Sequence, residues 1–261
     1  MLTRRLIACF DILKGRVTKA LRFQDNIDIA PAEELAENMY AAQIDELIFY
    51  DITASAENRS IDIETVKKVA KCVFIPFTVG GGIKDLNDMY ATLKAGAEKI
   101  SVDSMAVRNP KIISDGAKAF GSQCVVLSTQ VKKAPHMPSG YEVYIDGARS
   151  ATGLDALEWV KRGQDLGAGE ICLNSIDNDG TLCGYDLTLM KLAEAAVSVP
   201  LIASGGAGIP EHLKQLFLET ETQAAIISSM LYSPRLKRNY KVFELKEYLE
   251  QNSIAVRPHR L

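Results

Sequence analysis

The segment Ile75-Pro76-Phe77-Thr78-Val79-Gly80-Gly81-Gly82 returns later in the chain as Val199-Pro200-Leu201-Ile202-Ala203-Ser204-Gly205-Gly206. In each copy a proline precedes a short apolar run that ends in Gly-Gly. A run this short, without polar alternation, reads as a strand buried on both faces, as in a parallel sheet. Two further stations recur at the same offset of about 125 residues. Asp45-Glu46-Leu47-Ile48 matches Gly169-Glu170-Ile171-Cys172, and Ile100-Ser101-Val102-Asp103-Ser104-Met105 matches Ala225-Ile226-Ile227-Ser228-Ser229-Met230. Three stations with one offset indicate a duplicated half, with halves at about 1–120 and 121–261.

Working outward, eight short apolar runs read as strands: Leu6–Phe10, Leu47–Tyr50, Ile75–Val79, Lys99–Val102, Cys124–Leu127, Ile171–Leu173, Leu201–Ala203 and Ala224–Ile227. An amphipathic stretch of helical spacing follows each, as in Ile63–Lys71, Leu86–Lys94 and Leu154–Leu166. Pro31, Pro110 and Pro210 are expected in first helical turns, where a missing N–H costs nothing. Eight strand–helix units predict an α/β fold of (β/α)8 TIM-barrel type, one domain over 1–261 with a twofold half-barrel repeat. Gly15–Ala30 and Val131–Ala151 are longer than barrel loops need. Both follow strands, on the face where barrel active sites are built, and the second is expected to hold a small hairpin.

The repeat has a chemical consequence. In each half a strand ending in Gly-Gly precedes one ending in serine. Bare N–H groups beside a hydroxyl suit a phosphate. Gly82 with Ser104, and Gly206 with Ser228 and Ser229, therefore predict two phosphate stations and an elongated ligand with a phosphate at each end. Asp11 ends the first strand and should project into the barrel mouth. Lys19, in the loop beyond, could clamp an anion or simply be solvated. Asp51, Asp177 and Asp179 also follow strands, and the polar run Ser175–Thr181, with Asp179 and Gly180, is a candidate for substrate contact. By the repeat, the mate of Asp11 falls on Gln130, and a glutamine hydrogen-bonds but exchanges no proton near neutral pH. At the other face Arg5, Glu46, Lys99 and Glu170 each begin a strand, and two charges of each sign could close the floor as an ion network.

Composition narrows the classes. A net charge of −3 gives no reason to expect nucleic acid or an anionic membrane as partner. No run approaches the ~20 apolar residues of a spanning helix. The N-terminal apolar run stops at Asp11 and lacks a cleavage site, so a cytoplasmic location is expected. The five cysteines show no CxxC and no zinc spacing, so reduced cysteines and no metal are expected.

These residues resemble the cyclase subunit of imidazole glycerol phosphate synthase, the HisF family. The resemblance covers essentially the whole chain. It rests on Ile7–Asp11, Gly15–Lys19, Asp45–Leu47, Asp51–Ser55, Phe77–Ile83, Phe120–Gln123, Gly167–Ile171, Asp179–Thr181 and Ala203–Gly208. It implies no cofactor, a glutaminase (HisH-like) partner on the N-terminal barrel face, and an ammonia gate of Arg5, Glu46, Lys99 and Glu170. It implies a substrate, a bis-phosphorylated ribulosyl formimino-carboxamide ribotide, turned over with ammonia to imidazole glycerol phosphate and aminoimidazole carboxamide ribotide. Asp11 matches one catalytic aspartate and Lys19 the loop lysine.

Three positions depart from the family pattern. The second catalytic aspartate falls on Gln130. Asp103 stands where asparagine is usual beside a phosphate, and would repel that phosphate unless countered, for instance by a lysine. Ala20 replaces a glycine. The resemblance thus carries two readings: a cyclase that works with Gln130, or a HisF-like ammonia conduit serving a glutaminase and a sugar amidotransferase in surface-polysaccharide synthesis.

Overall fold

The computed structural model describes residues 2–21, 24–54, 59–233 and 236–259. Its first half runs β1 (Arg5–Leu13), β2 (Arg16–Leu21), β3 (Gln24–Pro31), α1 (Ala32–Ala41), β4 (Glu46–Asp51), α2 (Ile63–Cys72), β5 (Phe77–Gly80), α3 (Leu86–Lys94), β6 (Lys99–Val102), α4 (Ser104–Arg108) and α5 (Lys111–Phe120). The second half runs β7 (Val125–Lys133), β8 (Tyr141–Ile145), β9 (Ser150–Asp155), α6 (Ala156–Asp165), β10 (Glu170–Ser175), α7 (Leu187–Ala196), β11 (Leu201–Ser204), α8 (Pro210–Glu219), β12 (Ala224–Ile226), α9 (Ser228–Tyr232) and α10 (Val242–Gln251).

Eight strands pair in parallel around a ring: β1, β4, β5, β6, β7, β10, β11, β12 and back to β1. The predicted (β/α)8 barrel is therefore closed, and each of the eight apolar runs falls on a different barrel strand, three of them overrunning it: Ile75 and Pro76 precede β5, Cys124 precedes β7 and Ile227 follows β12. The two long segments are antiparallel extensions. Beyond β7, β8 and β9 form the expected hairpin. Residues 15–30, expected as a loop, instead hold β2 and β3, with β2 paired to the end of β1. Among the described residues no helix is long and apolar enough to cross a membrane.

Period-two alternation decides which residues reach the barrel interior. On β1, Leu6, Ala8, Phe10 and Ile12 join the outer core between sheet and helices. Ile7 and Cys9 join the smaller inner cluster with Ile48, Val126 and Cys172. Aspartates set several helix starts. Asp62, Asp85, Asp155 and Asp186 each accept a backbone N–H from the first turn of the helix they precede. Pro210 sits in a first turn as expected, whereas Pro31 and Pro110 stand one residue earlier, at the cap.

Candidate active site

At the N-terminal end of the barrel the four predicted charges meet. Lys99 Nζ lies 2.6 Å from Glu46 and 2.8 Å from Glu170. Arg5 bonds the same two carboxylates. The result is a closed ring in which each cation bridges both anions. Glu46 and Glu170 are buried, and Arg5 and Lys99 keep part of their surface in water. Burial works against the charge on Lys99, but Glu170 and Glu46 outweigh it and hold the ammonium above the usual lysine range.

From this floor the inner face climbs by alternate residues: Arg5, Ile7, Cys9 and Asp11 on β1; Glu46, Ile48 and Tyr50 on β4; Lys99 and Ser101 on β6, then Asp103 just beyond it; Glu170, Cys172 and Asn174 on β10. The middle layer is apolar or weakly polar. Burial pushes the Cys172 thiol up to about 12 and the Cys9 thiol well above its ordinary value, so both are uncharged there.

The C-terminal end opens into a cavity of about 450 Å³. Asp11, Lys19, Gly82, Asp103, Ser104, Gln130, Asp179, Gly206, Ser228 and Ser229 all line it. Gly180 does not. It turns with φ +69° behind Asp179, and its backbone N–H supports that carboxyl. Asp51 is occupied by Arg59 at 2.6 Å and 2.7 Å, and Asp177 by the backbone N–H of Lys133 at 2.8 Å. Ser55 and the side chain of Ala20 lie outside the described residues.

Lys19 Nζ stands 3.9 Å from Asp11 Oδ2. Burial raises the Asp11 carboxyl, Lys19 pulls it back, and Asp179 raises it again. Asp179 is likewise raised by burial and lowered by Lys19. One ammonium thus serves two carboxyls in the mouth.

The two glycine stations stand four strands apart on the eight-strand ring, so they face each other across the cavity. Gly82 has φ +75° and Gly206 φ +103°. At Gly206 a Cβ would come within 1.9 Å of the Gly184 carbonyl oxygen, so glycine is required there by the packing of the chain itself. Two serine hydroxyls are committed to the backbone. Ser104 Oγ accepts from the Asp146 N–H at 2.9 Å. Ser228 Oγ accepts from the Cys9 N–H at 2.7 Å and donates to the Cys9 carbonyl at 2.8 Å.

Gln130 is the centre of a chain of side-chain hydrogen bonds. Its Oε1 accepts from Asn174 Nδ2 at 2.8 Å, and its Nε2 donates to Asp103 Oδ2 at 3.3 Å. Burial pushes the Asp103 carboxyl up to about 7. The counter-charge expected for Asp103 was a lysine, but none contributes. The charges that act on it are Asp146, which raises it further, and Arg108, which lowers it. Asn174 and Arg149, which belong to none of the sequence motifs, also line the cavity. The position of Asn174 on β10, two residues from Cys172 and four from Glu170, marks it as inward-facing.

The sequence profile described as Histidine biosynthesis protein matches residues 5–237. The chain belongs to that family. Among curated members, imidazole glycerol phosphate synthase subunit HisF of Desulfosudis oleivorans is 52% identical over 98% of this chain and 99% of its own length. The subunit HisF of Desulforapulum autotrophicum is also 52% identical, with the same coverage. That of Nitratidesulfovibrio vulgaris (strain DP4) is 50% identical over 91% of this chain and 95% of its own length. Family membership and near-complete coverage agree with the closed barrel.

Proposed function

We propose that this chain is the cyclase subunit of imidazole glycerol phosphate synthase in histidine biosynthesis. It uses ammonia from a glutaminase to convert the bis-phosphorylated ribulosyl formimino-carboxamide ribotide to imidazole glycerol phosphate and aminoimidazole carboxamide ribotide. The observation that carries this reading is the single inner face on which the charged floor and the two-station mouth lie. Relatives about half identical over nearly their whole length, all named as this subunit, support it.

The two phosphates anchor at the opposed stations, one near Gly82 and one near Gly206 and Ser229. This stretches the substrate across the mouth and presents its reacting centre to the barrel axis. Asp11 exchanges protons there, with Lys19 holding its charge in place. Ammonia reaches the same axis from below, past the ring of Arg5, Glu46, Lys99 and Glu170. The glutaminase docks on the N-terminal face. That face carries an exposed apolar group, Phe74, beside Ile75 and Pro76 and next to Glu98, Lys99 and Gln123.

The conduit reading draws on the amide at position 130. A carboxyl stands 3.3 Å from that amide, so the mouth is not short of acids. The test is turnover of the bisphosphate by the purified chain, with product followed by chromatography. Ammonium salt alone should support it, and glutamine should do so only once a glutaminase subunit is added. Absence of product from either nitrogen source would overturn the proposal.

A further inference from the structure

We infer that Asp103 is a second catalytic residue of this site, the proton-transferring carboxyl that works opposite Asp11 while Gln130 positions it. The inference rests on the cyclase reading above.

Asp103 has no structural duty that explains it. It stands at the cap position of α4, yet its side chain caps no backbone N–H. Among the described residues the hydrogen-bond partner of its carboxyl is Gln130. Gln130 is itself held by a neighbour. Asn174 donates to Gln130 Oε1, so Nε2 is the end left for Asp103. An N–H directed at Oδ2 leaves Oδ1 to carry the proton, on a residue that lines the cavity. Asp11 lies on β1 and Asp103 follows β6, three strands apart on the ring of eight, so the two carboxyls stand on facing walls of one mouth.

The surroundings keep the group able both to give and to take a proton. From α4, Arg108 is spent on Asp146, with bonds of 2.6 Å and 2.7 Å. From the β8–β9 turn, Asp146 adds negative charge, and from β10 Cys172 contributes an uncharged thiol. Burial does the rest, and the Asp103 carboxyl sits near 7, where acid and base forms coexist at neutral pH. In its acid form Asp103 also leaves the station at Gly82 and Ser104 free of the repulsion an anion would exert on a phosphate.

The step is the addition of ammonia to the ketose carbonyl. The nitrogen lone pair forms the C–N bond and the carbonyl π pair moves to oxygen. That oxygen takes the proton of Asp103, and the new ammonium nitrogen gives one to the carboxylate of Asp11, leaving a neutral carbinolamine. Loss of water reverses the flow. The hydroxyl departs with the proton from Asp11, and the iminium nitrogen returns one to Asp103. Ketone and ammonia become imine and water, and both carboxyls end as they began.

The test is ammonia-driven turnover of wild type, Asp103→Asn, Gln130→Asp and the double variant Asp103→Asn/Gln130→Asp, with pH profiles. Asp103→Asn should lose about 10²–10⁴-fold in kcat with little change in KM. Gln130→Asp should gain nothing, because it sets two carboxyls side by side. The double variant moves the acid one strand along the wall and should return to within about tenfold of wild type, with its pH limb displaced. Wild type should show a limb near neutrality that Asp103→Asn lacks.

Asp103→Asn within about threefold of wild type, with the limb intact, would overturn the inference and leave the cyclase reading standing. A double variant as inactive as Asp103→Asn would also overturn it. No turnover by wild type would overturn both. Should Asp103→Asn fail to fold, carboxyl ¹³C NMR of the wild type decides: a midpoint for Asp103 in the ordinary aspartate range would overturn the inference.

Discussion

Gln130 donates its amide N–H to the carboxyl of Asp103 across 3.3 Å, from the end of one barrel strand to the end of its neighbour. An amide and an acid therefore act as one unit at the mouth. Their positions along the wall are opposite to those the family pattern leads one to expect. What reads as a missing carboxyl at one position and an intruding one at another is, in space, one carboxyl displaced by a strand.

The displaced acid leaves a mark on stability. Burial raises the Asp103 carboxyl from its ordinary 3.8 to about 7, so the folded chain keeps a proton that the unfolded chain gives up. Stability from this group is full below about pH 4, falls as pH rises towards 7 and levels off above it. Asp103→Asn removes that loss. Its Tm advantage over wild type should widen between about pH 5 and about pH 8, by several degrees as followed by calorimetry. A constant difference across the range would contradict the assignment.

The floor is predicted to fail in a characteristic way. Lys99→Ala leaves the buried Glu46 and Glu170 to share Arg5 alone. Breaking a buried ion pair by removing one partner costs about 3–5 kcal/mol, which chemical denaturation will read. In complex with a glutaminase, glutamine-driven turnover should fall further than ammonia-driven turnover. Equal rates from both sources, unchanged from wild type, would show that the ring does not guard the route.

Gly206→Ala and Gly140→Ala separate two costs. Both glycines have positive φ, at +103° and +80°, but an added Cβ meets nothing within 4 Å at Gly140 and the Gly184 carbonyl at 1.9 Å at Gly206. Gly140→Ala should cost only the backbone strain, about 1–3 kcal/mol. Gly206→Ala should cost more and also weaken inhibition by a bisphosphate analogue. Similar losses in the two variants would mean that the loop bearing Gly184 gives way easily.

Ser228 and Ser229 should part company when changed to alanine. Ser228→Ala strips the Cys9 N–H and carbonyl of a buried hydroxyl partner at the seam between β12 and β1. A loss of about 1–3 kcal/mol in stability is expected. Ser229→Ala should leave the unfolding midpoint in place and raise KM. The reverse pattern would move the phosphate contact to Ser228.

The eight strands and their helices were legible because their signals are local: apolar runs of strand length, helical spacing, and a repeat that aligns Gly82 with Gly206. The four floor charges were legible as a set because each opens a strand. What escaped depends on distances between strands. Nothing at Gln130 says that an aspartate 27 residues earlier will accept its amide, and nothing at Ser228 says that its hydroxyl will be absorbed by Cys9. The pairing of β2 with β1 is not legible because the segment after Gly15 has no apolar run to mark a buried strand. Gly180 looked like part of the site because it follows Asp179, yet it serves Asp179 from behind.

The alternation that carries Arg5 at the floor and Asp11 at the mouth has a consequence for how the barrel can change. Six residues of one strand, at about 3.3 Å each, set roughly 20 Å between the two ends. One residue inserted between them would turn everything beyond it to the outer face and take Asp11 out of the mouth. A change by two would keep every side chain pointing inward and alter only the length of the route. Along these strands the barrel can thus change its length only by steps of two residues.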